Sequence, residues 1–558
     1  MRFIAALFSA FFACATVYAA VTAGNISREG VYSGGTITIT AVGTITADGD
    51  SGGGGGSGTA LSYAQGGAET DDPCPTGGNC YYVDQTAGSD SNSGRSGAPW
   101  KTLSKVTSSK GSFTAGTHIL LKEGETWSEN LILTSMTGSN SLPIVIGSYG
   151  SSGVKPVVNV VRIDGSSYVT VRDLNATQID ASSATTSKVG ASYFLIYKNT
   201  LNRESVNNPI RVFGSSHHGV IMENLVYNIL GQDGITIHDI NFGATADYED
   251  AGGSFWVVNN TVVGDSGVED LIDHSQGYAT VKLGGTCAGF VSDLKIVDNQ
   301  LQQSAVSGLS GGTGGSNFGI NSGHCGAGVW IIGNNISGDG NACAQVLRDD
   351  DNRRDIQVAG NVMYKCGDAP KYSFLYDIDN AYFEYNTVSR LIGSRASFYL
   401  KTGSDVINLN HNLLSIDSGA GTTSDHWVQL AETIAAHSFT ETYNHFEDID
   451  GTPVSAYIRD SAGNQSISGT STEGIGASLT VPTTTLNPTT WSATIASGFT
   501  PDSGWSRCSN PAGAFDCSGN RLGRTLRPFV STVGGDGYGW RGLPIVTQYI
   551  ADEGLVLE

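Results

Sequence analysis

Lysine and arginine are scarce: they supply 30 of 558 residues against 52 Asp and Glu, for a net charge of −22. A chain so poor in cations does not neutralise runs of phosphate or hold to an anionic bilayer, so general nucleic-acid and membrane-surface binding are excluded. Charged residues of both signs reach only 15%, against about 25% in an ordinary soluble domain. No apolar run after the N-terminus approaches the roughly 20 residues of a membrane-spanning helix. Long Ala/Leu/Glu/Lys-rich stretches are missing, which removes helical bundles and coiled coils. No CxxC pair occurs, so a zinc ribbon is not expected. What is abundant is glycine, 75 residues, beside 39% hydrophobic and 9% aromatic residues. That is enough apolar surface for a core, in a chain whose Gly, Ser, Thr and Asn favour short strands and turns.

Residues 1–19 read as a secretory signal peptide: Arg2, an apolar stretch from Phe3 to Val17, then Val17-Tyr18-Ala19 as a small-residue cleavage site. Of the nine Cys, eight remain after Cys14 is removed with the signal. They cluster as Cys74/Cys80, Cys287/Cys325, Cys343/Cys366 and Cys508/Cys517. Disulfides between these neighbours are expected, although eight Cys allow many pairings. A secreted or otherwise extracytoplasmic location follows. Residues 20–73 include Gly52-Gly53-Gly54-Gly55-Gly56-Ser57-Gly58 and read as a disordered, linker-like arm.

The organising signal is a repeat. Asn stands just after a short apolar strand at Asn224, Asn260, Asn299, Asn334, Asn361, Asn386, Asn412 and Asn444. Successive spacings are 36, 39, 35, 27, 25, 26 and 32. Short strands repeating at this period predict a solenoid in which each coil buries its apolar side chains against its neighbours. Asn at one turn position can stack its amides into a ladder along the axis. Residues 74–450 are expected to form this domain, and residues 451–558 a small β-rich cap on its open end.

Two stretches carry a resemblance. One is Tyr81-Tyr82-Val83-Asp84, Gly88-Ser89-Asp90-Ser91-Asn92-Ser93-Gly94 and Pro99-Trp100-Lys101-Thr102-Leu103; the other is Pro143-Ile144-Val145-Ile146 with Tyr149-Gly150 and Lys155-Pro156-Val157. Together with the Asn coils they resemble the secreted right-handed parallel β-helix proteins. The resemblance implies an all-β fold. It also implies a choice among polysaccharide lyases, glycoside hydrolases, uronan epimerases and adhesive proteins, a choice that the fold itself does not make.

The site is therefore sought in side chains. Aligning the strand that follows each Asn stacks Ile235-Thr236, Ile272-Asp273, Ile320-Asn321, Leu347-Arg348, Tyr376-Asp377 and Leu400-Lys401. Strand alternation places the second residue of each pair outside. The expected outer column is Thr236, Asp273, Asn321, Arg348, Asp377 and Lys401, running about 24 Å at one coil per ~4.8 Å. In it, Glu269-Asp270-Leu271-Ile272-Asp273-His274 packs three carboxylates, and Asp233 aligns one coil earlier with Asp270. Crowded carboxylates repel unless a cation neutralises them, and Ca²⁺ takes six to eight such oxygens. Two acids, a two-residue gap and a third acid resemble the calcium site of family-nine polysaccharide lyases. That resemblance implies Asp233, Glu269, Asp270 and Asp273 as metal ligands. It also implies a Lys base one coil on, where this chain has Asn321. Arg348, Lys401, His274 and Lys282 are the other candidates for a base, and Asn321 and Asp377 for holding substrate. The expectation is a monomeric Ca²⁺-assisted lyase acting on a uronic-acid-containing polysaccharide by β-elimination. The same carboxylates would serve a glycoside hydrolase. A surface-binding or adhesive β-helix needs neither chemistry.

Overall fold

The structure is a computed structural model of the full chain. It describes residues 74–181 (76 excepted), 190–202, 208–213, 216–229, 233–238, 254–264, 270–274, 292–303, 318–322, 326–337, 342–346, 355–364, 380–391, 396–400, 406–416, 426–448, 458–479 in part, 499–500, 512–529 in part and 544–557. The signal peptide and the Gly-rich arm lie outside these residues.

The chain is a right-handed parallel β-helix. Among the described residues, thirteen parallel strands form one sheet, from Asn79–Val83 to Ser438–Thr442. The second large sheet holds the strands that follow each turn, paired coil to coil in parallel. Inward residues such as Ile196, Ile221, Val257, Ile296, Ile331, Val358, Phe383 and Leu409 stack in one buried column. Each coil covers the apolar face of the next, which is how a thin solenoid obtains a core. At the N-terminal end Thr102 caps the helix Leu103–Ser109 by accepting from the Lys105 N–H. Leu103 and Val106 of that helix join the same core, where the sequence suggested only strand.

The asparagine ladder is present atom by atom. Each rung's backbone N–H donates to the next rung's Oδ1, as from Asn260 to Asn299 and from Asn299 to Asn334, both at 2.9 Å. The residue before each rung turns the chain through the left-handed region, as at Glu223 (φ 53°), Asp298 (φ 56°) and Gly333 (φ 69°). The ladder begins one coil earlier than expected: Asn199 N–H donates to Asn224 Oδ1 at 2.9 Å.

Part of the C-terminal region extends the coils and part flanks them. Thr472–Ile475 pairs in parallel with His445–Asp448, so the solenoid runs on past residue 450. Ala514 N–H donates to Thr387 Oγ1 at 2.9 Å and Arg521 Nη1 to the Gly360 carbonyl at 2.7 Å, beside the asparagine turns, and residues 524–529 and 544–557 pack along the outer face of the thirteen-stranded sheet. There Leu526, Phe529, Ile545, Val546, Ile550 and Leu555 cover Leu195, Val220, Met222, Trp256 and Trp330. Phe529 stacks on Trp330 at 4.6 Å between centroids. Arg524 forks onto Asp298, which also accepts from Tyr549 Oη–H at 2.8 Å. The physical reason is that these strands are apolar on both faces, as in Phe255-Trp256-Val257-Val258, and a sheet of that kind needs cover on each. Cys74–Cys80 is a disulfide and Cys343 is disulfide-bonded. The expected partner Cys366 and the other two pairs lie outside the described residues.

Candidate functional site

One ribbon of strands carries the candidate site. Backbone pairing aligns Leu131, Val161, Ile179, Ile210, Ile235, Ile272, Ile320 and Ala344 coil by coil. The adjacent column in the same register reads Arg162, Asp180, Arg211, Thr236, Asp273, Asn321 and Gln345. Seven positions at one strand spacing each run about 29 Å.

The first three pairs of the expected alignment, Ile235-Thr236, Ile272-Asp273 and Ile320-Asn321, occupy matching register positions. The fourth does not. Gln345, three residues before Arg348, pairs with Asn321, and Ala344 takes the inner position expected for Leu347. The larger apolar residue suggested the later frame, whereas the strand Ala342–Val346 already pairs with Phe318–Ser322. Leu400 ends a strand paired with His426–Leu430 in a separate sheet, not with the strands of this ribbon. Glu269, Lys282, Arg348, Asp377 and Lys401 lie outside the described residues. Asp270, Asp273 and His274 share the strand Asp270–His274, and Asn321 belongs to Phe318–Ser322.

Thr236 was expected outside but is fully buried. It belongs to a polar cluster made by its own coil and the two before it. Asn208, Asp233 and Gln178 are also buried, with 6%, 7% and 6% exposure. Asn208 Nδ2 donates to Asp233 Oδ2 at 3.4 Å and to Thr236 Oγ1 at short range. The Thr236 hydroxyl lies 3.5 Å from the same Asp233 oxygen. Gln178 Nε2 donates to the Asn208 carbonyl at 3.1 Å. Upstream, Arg162 Nε pairs with Asp164 Oδ1 at 2.9 Å.

Asp233 is therefore a buried carboxylate held by an amide and a hydroxyl. Its neighbour Thr236 is one coil from the register position of Asp273. Among the described residues no group of three or more His, Cys, Asp or Glu is arranged to hold a metal ion.

Sequence reasoning missed Gln178, Asp180, Asn208 and Arg211. The available signal was Asn199-Thr200-Leu201, which fits the repeat. Starting the ladder at Asn224 left the coils before it unaligned, and with them Arg162, Asp180 and Arg211 of the column.

No family model matches the chain. A stretch of 94 residues is 34% identical to a lacto-N-biosidase of Bifidobacterium longum subsp. longum, which is 16% of this chain and 6% of that protein. Among solved structures, GH136 lacto-N-biosidase from Eubacterium ramulus is similar over 71% of this chain and 68% of that one, with 13% identity and a TM-score of 0.36. Pectate lyase Pel9A is similar over 62% and 80%, with 15% identity and a TM-score of 0.36. A PL6 family alginate lyase is similar over 79% and 58%, with 11% identity and a TM-score of 0.41.

Proposed function

We propose that the chain is an exported carbohydrate-active enzyme that cleaves glycosidic bonds at the strand ribbon carrying Asp233 and Asp273. The observation that carries this is the buried Asp233 carboxylate, oriented by Asn208 and Thr236, one coil from the Asp273 position. Glycoside hydrolysis needs two carboxyl groups about 5–10 Å apart. One protonates the leaving oxygen; the other attacks the sugar or activates water. Adjacent coils, spaced ~4.8 Å, deliver side chains into that range. The 94-residue likeness to a lacto-N-biosidase supports the same reaction class.

Ca²⁺-assisted β-elimination on a uronic-acid polysaccharide is the second reading. The observation favouring it is the crowding of acids at neighbouring register positions: Asp270 and Asp273 share a strand, and Asp233 stands on the coil before. Asp233, Glu269, Asp270 and Asp273 form an all-oxygen donor set of the kind Ca²⁺ takes. When bound, the ion would neutralise a uronate carboxylate and acidify its C5 proton. Arg211, in the same column, is suited to fork onto that carboxylate. The base on this reading comes from His274, Lys282, Arg348 or Lys401; Asn321 and Asp377 remain proposed substrate contacts. A secreted location and monomeric state belong to both readings, and the disulfides support export.

The test is incubation of the purified protein with neutral oligosaccharides, pectate, alginate, ulvan and glycosaminoglycans, with Ca²⁺ or with chelator. New reducing ends without ultraviolet absorbance are the expected result. Absorbance from a new C4–C5 double bond, lost with chelator, would replace hydrolysis by elimination. Binding with neither product would replace both by an adhesive role.

A further inference from the structure

The cluster around Asp233 contains one buried polar atom without a partner. Asn208 Oδ1 has no hydrogen bond among the described residues, although the residue is only 6% exposed. Its Nδ2, by contrast, serves two acceptors, Asp233 Oδ2 and Thr236 Oγ1. Buried acceptors are normally satisfied, and those left orphaned concentrate where a second demand fixes the group. Here the demand is legible. Turning the amide over would set Oδ1 against the Asp233 carboxylate, acceptor against acceptor, so the neighbour's needs and not its own fix its orientation.

The backbone of Asn208 is anchored independently. Gln178 on the preceding coil donates to its carbonyl. Pro209 follows with a fixed φ, and its carbonyl accepts from the Ile179 N–H at 2.8 Å. The side chain thus reaches from a coil locked on one side to a carboxylate and a hydroxyl on the next.

We infer that Asn208 is a positioning residue for the carboxylate chemistry: it sets the direction of the Asp233 carboxylate and of the Thr236 hydroxyl that lies beside it. The inference rests on the reading of Asp233 as a reacting group. Asn208 acts through Asp233 and Thr236, and its amide takes no part in bond making. A displaced carboxylate costs turnover far more than affinity, because small misplacements weaken the transition state selectively.

The test compares wild type, Asn208→Ala, Asn208→Asp, Asn208→Ser, Asp233→Asn and the double variant Asn208→Ala/Asp233→Asn on whichever sugar the wild type cleaves. Circular dichroism accompanies each assay to confirm the fold. Asn208→Ala and Asn208→Asp are expected to lower kcat about 10²-fold with KM within about threefold of wild type. Asn208→Ser, which keeps a short donor, is expected to recover part of the loss. In the Asp233→Asn background the second substitution should lower the residual rate no further, since both act on one group. If Asp233→Asn is inactive while both Asn208 variants keep kcat within twofold, the positioning role is overturned and the Asp233 reading stands. Multiplying losses in the double variant, or a loss confined to KM, would overturn it too. Full activity of Asp233→Asn, or no cleavage by wild type, would overturn the catalytic reading and the inference with it.

Discussion

At the scale of single residues, burial in a turn sets a pH dependence. Glu223 precedes the rung Asn224 and sits in the left-handed region. Loss of solvent raises its pKa above the ordinary glutamate value, and repulsion from Asp173 adds to this; Lys198, whose Nζ lies 4.0 Å away, opposes it. Between the ordinary and the raised value the folded chain keeps a proton that the unfolded chain has released. Its contribution to stability is complete below the ordinary glutamate pKa and is lost as pH rises through the raised folded value. Glu223→Gln is expected to raise the melting temperature at neutral pH and leave it little changed at pH 4. Melting curves at both pH values check this; a larger gain at pH 4 would contradict the assignment. The candidate site was partly legible at this scale. Asp273 stood out in the run of carboxylates that begins at Glu269, and Asp233 because it aligns one coil earlier with Asp270. Asn208 did not, because an amide whose importance lies in what it points at leaves no mark in composition or periodicity.

Among elements, the asparagine ladder explains why the coils hold a common register despite unequal loops. Asn299 shows what one rung does. Its Nδ2 donates to Val257 O at 2.8 Å and to Asn334 Oδ1 at 2.9 Å. Its Oδ1 accepts from Asn260 N–H at 2.9 Å and Asn260 Nδ2 at 3.0 Å. All of these atoms are buried, so Asn299→Ala leaves donors and an acceptor unpaired. A cost of about 3 kcal/mol is expected in denaturant unfolding, from roughly 1–3 kcal/mol per orphaned group. A loss under about 1 kcal/mol would mean that water or a relaxed turn replaces the rung. The ladder was readable in the sequence because one side chain must recur at one turn. The frame of Gln345 was not, since the register there depends on a turn length that hydrophobicity alone does not reveal. The helix Leu103–Ser109 was hidden for a similar reason: Thr102 marks its cap, but Trp100-Lys101-Thr102-Leu103 also reads as strand.

For the whole molecule, the β-helix has two layers of apolar packing, one inside the coils and one between the thirteen-stranded sheet and the C-terminal segment. The second layer even encloses Lys295, fully buried, with its ammonium 4.8 Å from the Trp330 ring centre and 5.7 Å from that of Trp256. Such a cation is held by ring faces and by the cover above them. Phe529→Ala removes that cover over Trp330 and is expected to cost about 3 kcal/mol, as large-to-small core changes do. Unchanged stability would show that the segment rests on the sheet without stabilising it. On the proposed reading the chemistry belongs to the ribbon in which Arg162, Asp180, Arg211 and Asp273 share one register column, with Thr236 buried beneath it. The central claim is that Asp233 and Asp273 act there as a pair, and the most direct measurement is release of reducing ends by wild type, Asp233→Asn and Asp273→Asn. Each isosteric substitution is expected to lower kcat by about 10²–10⁴-fold with the fold intact; wild-type rates in either variant would contradict the account.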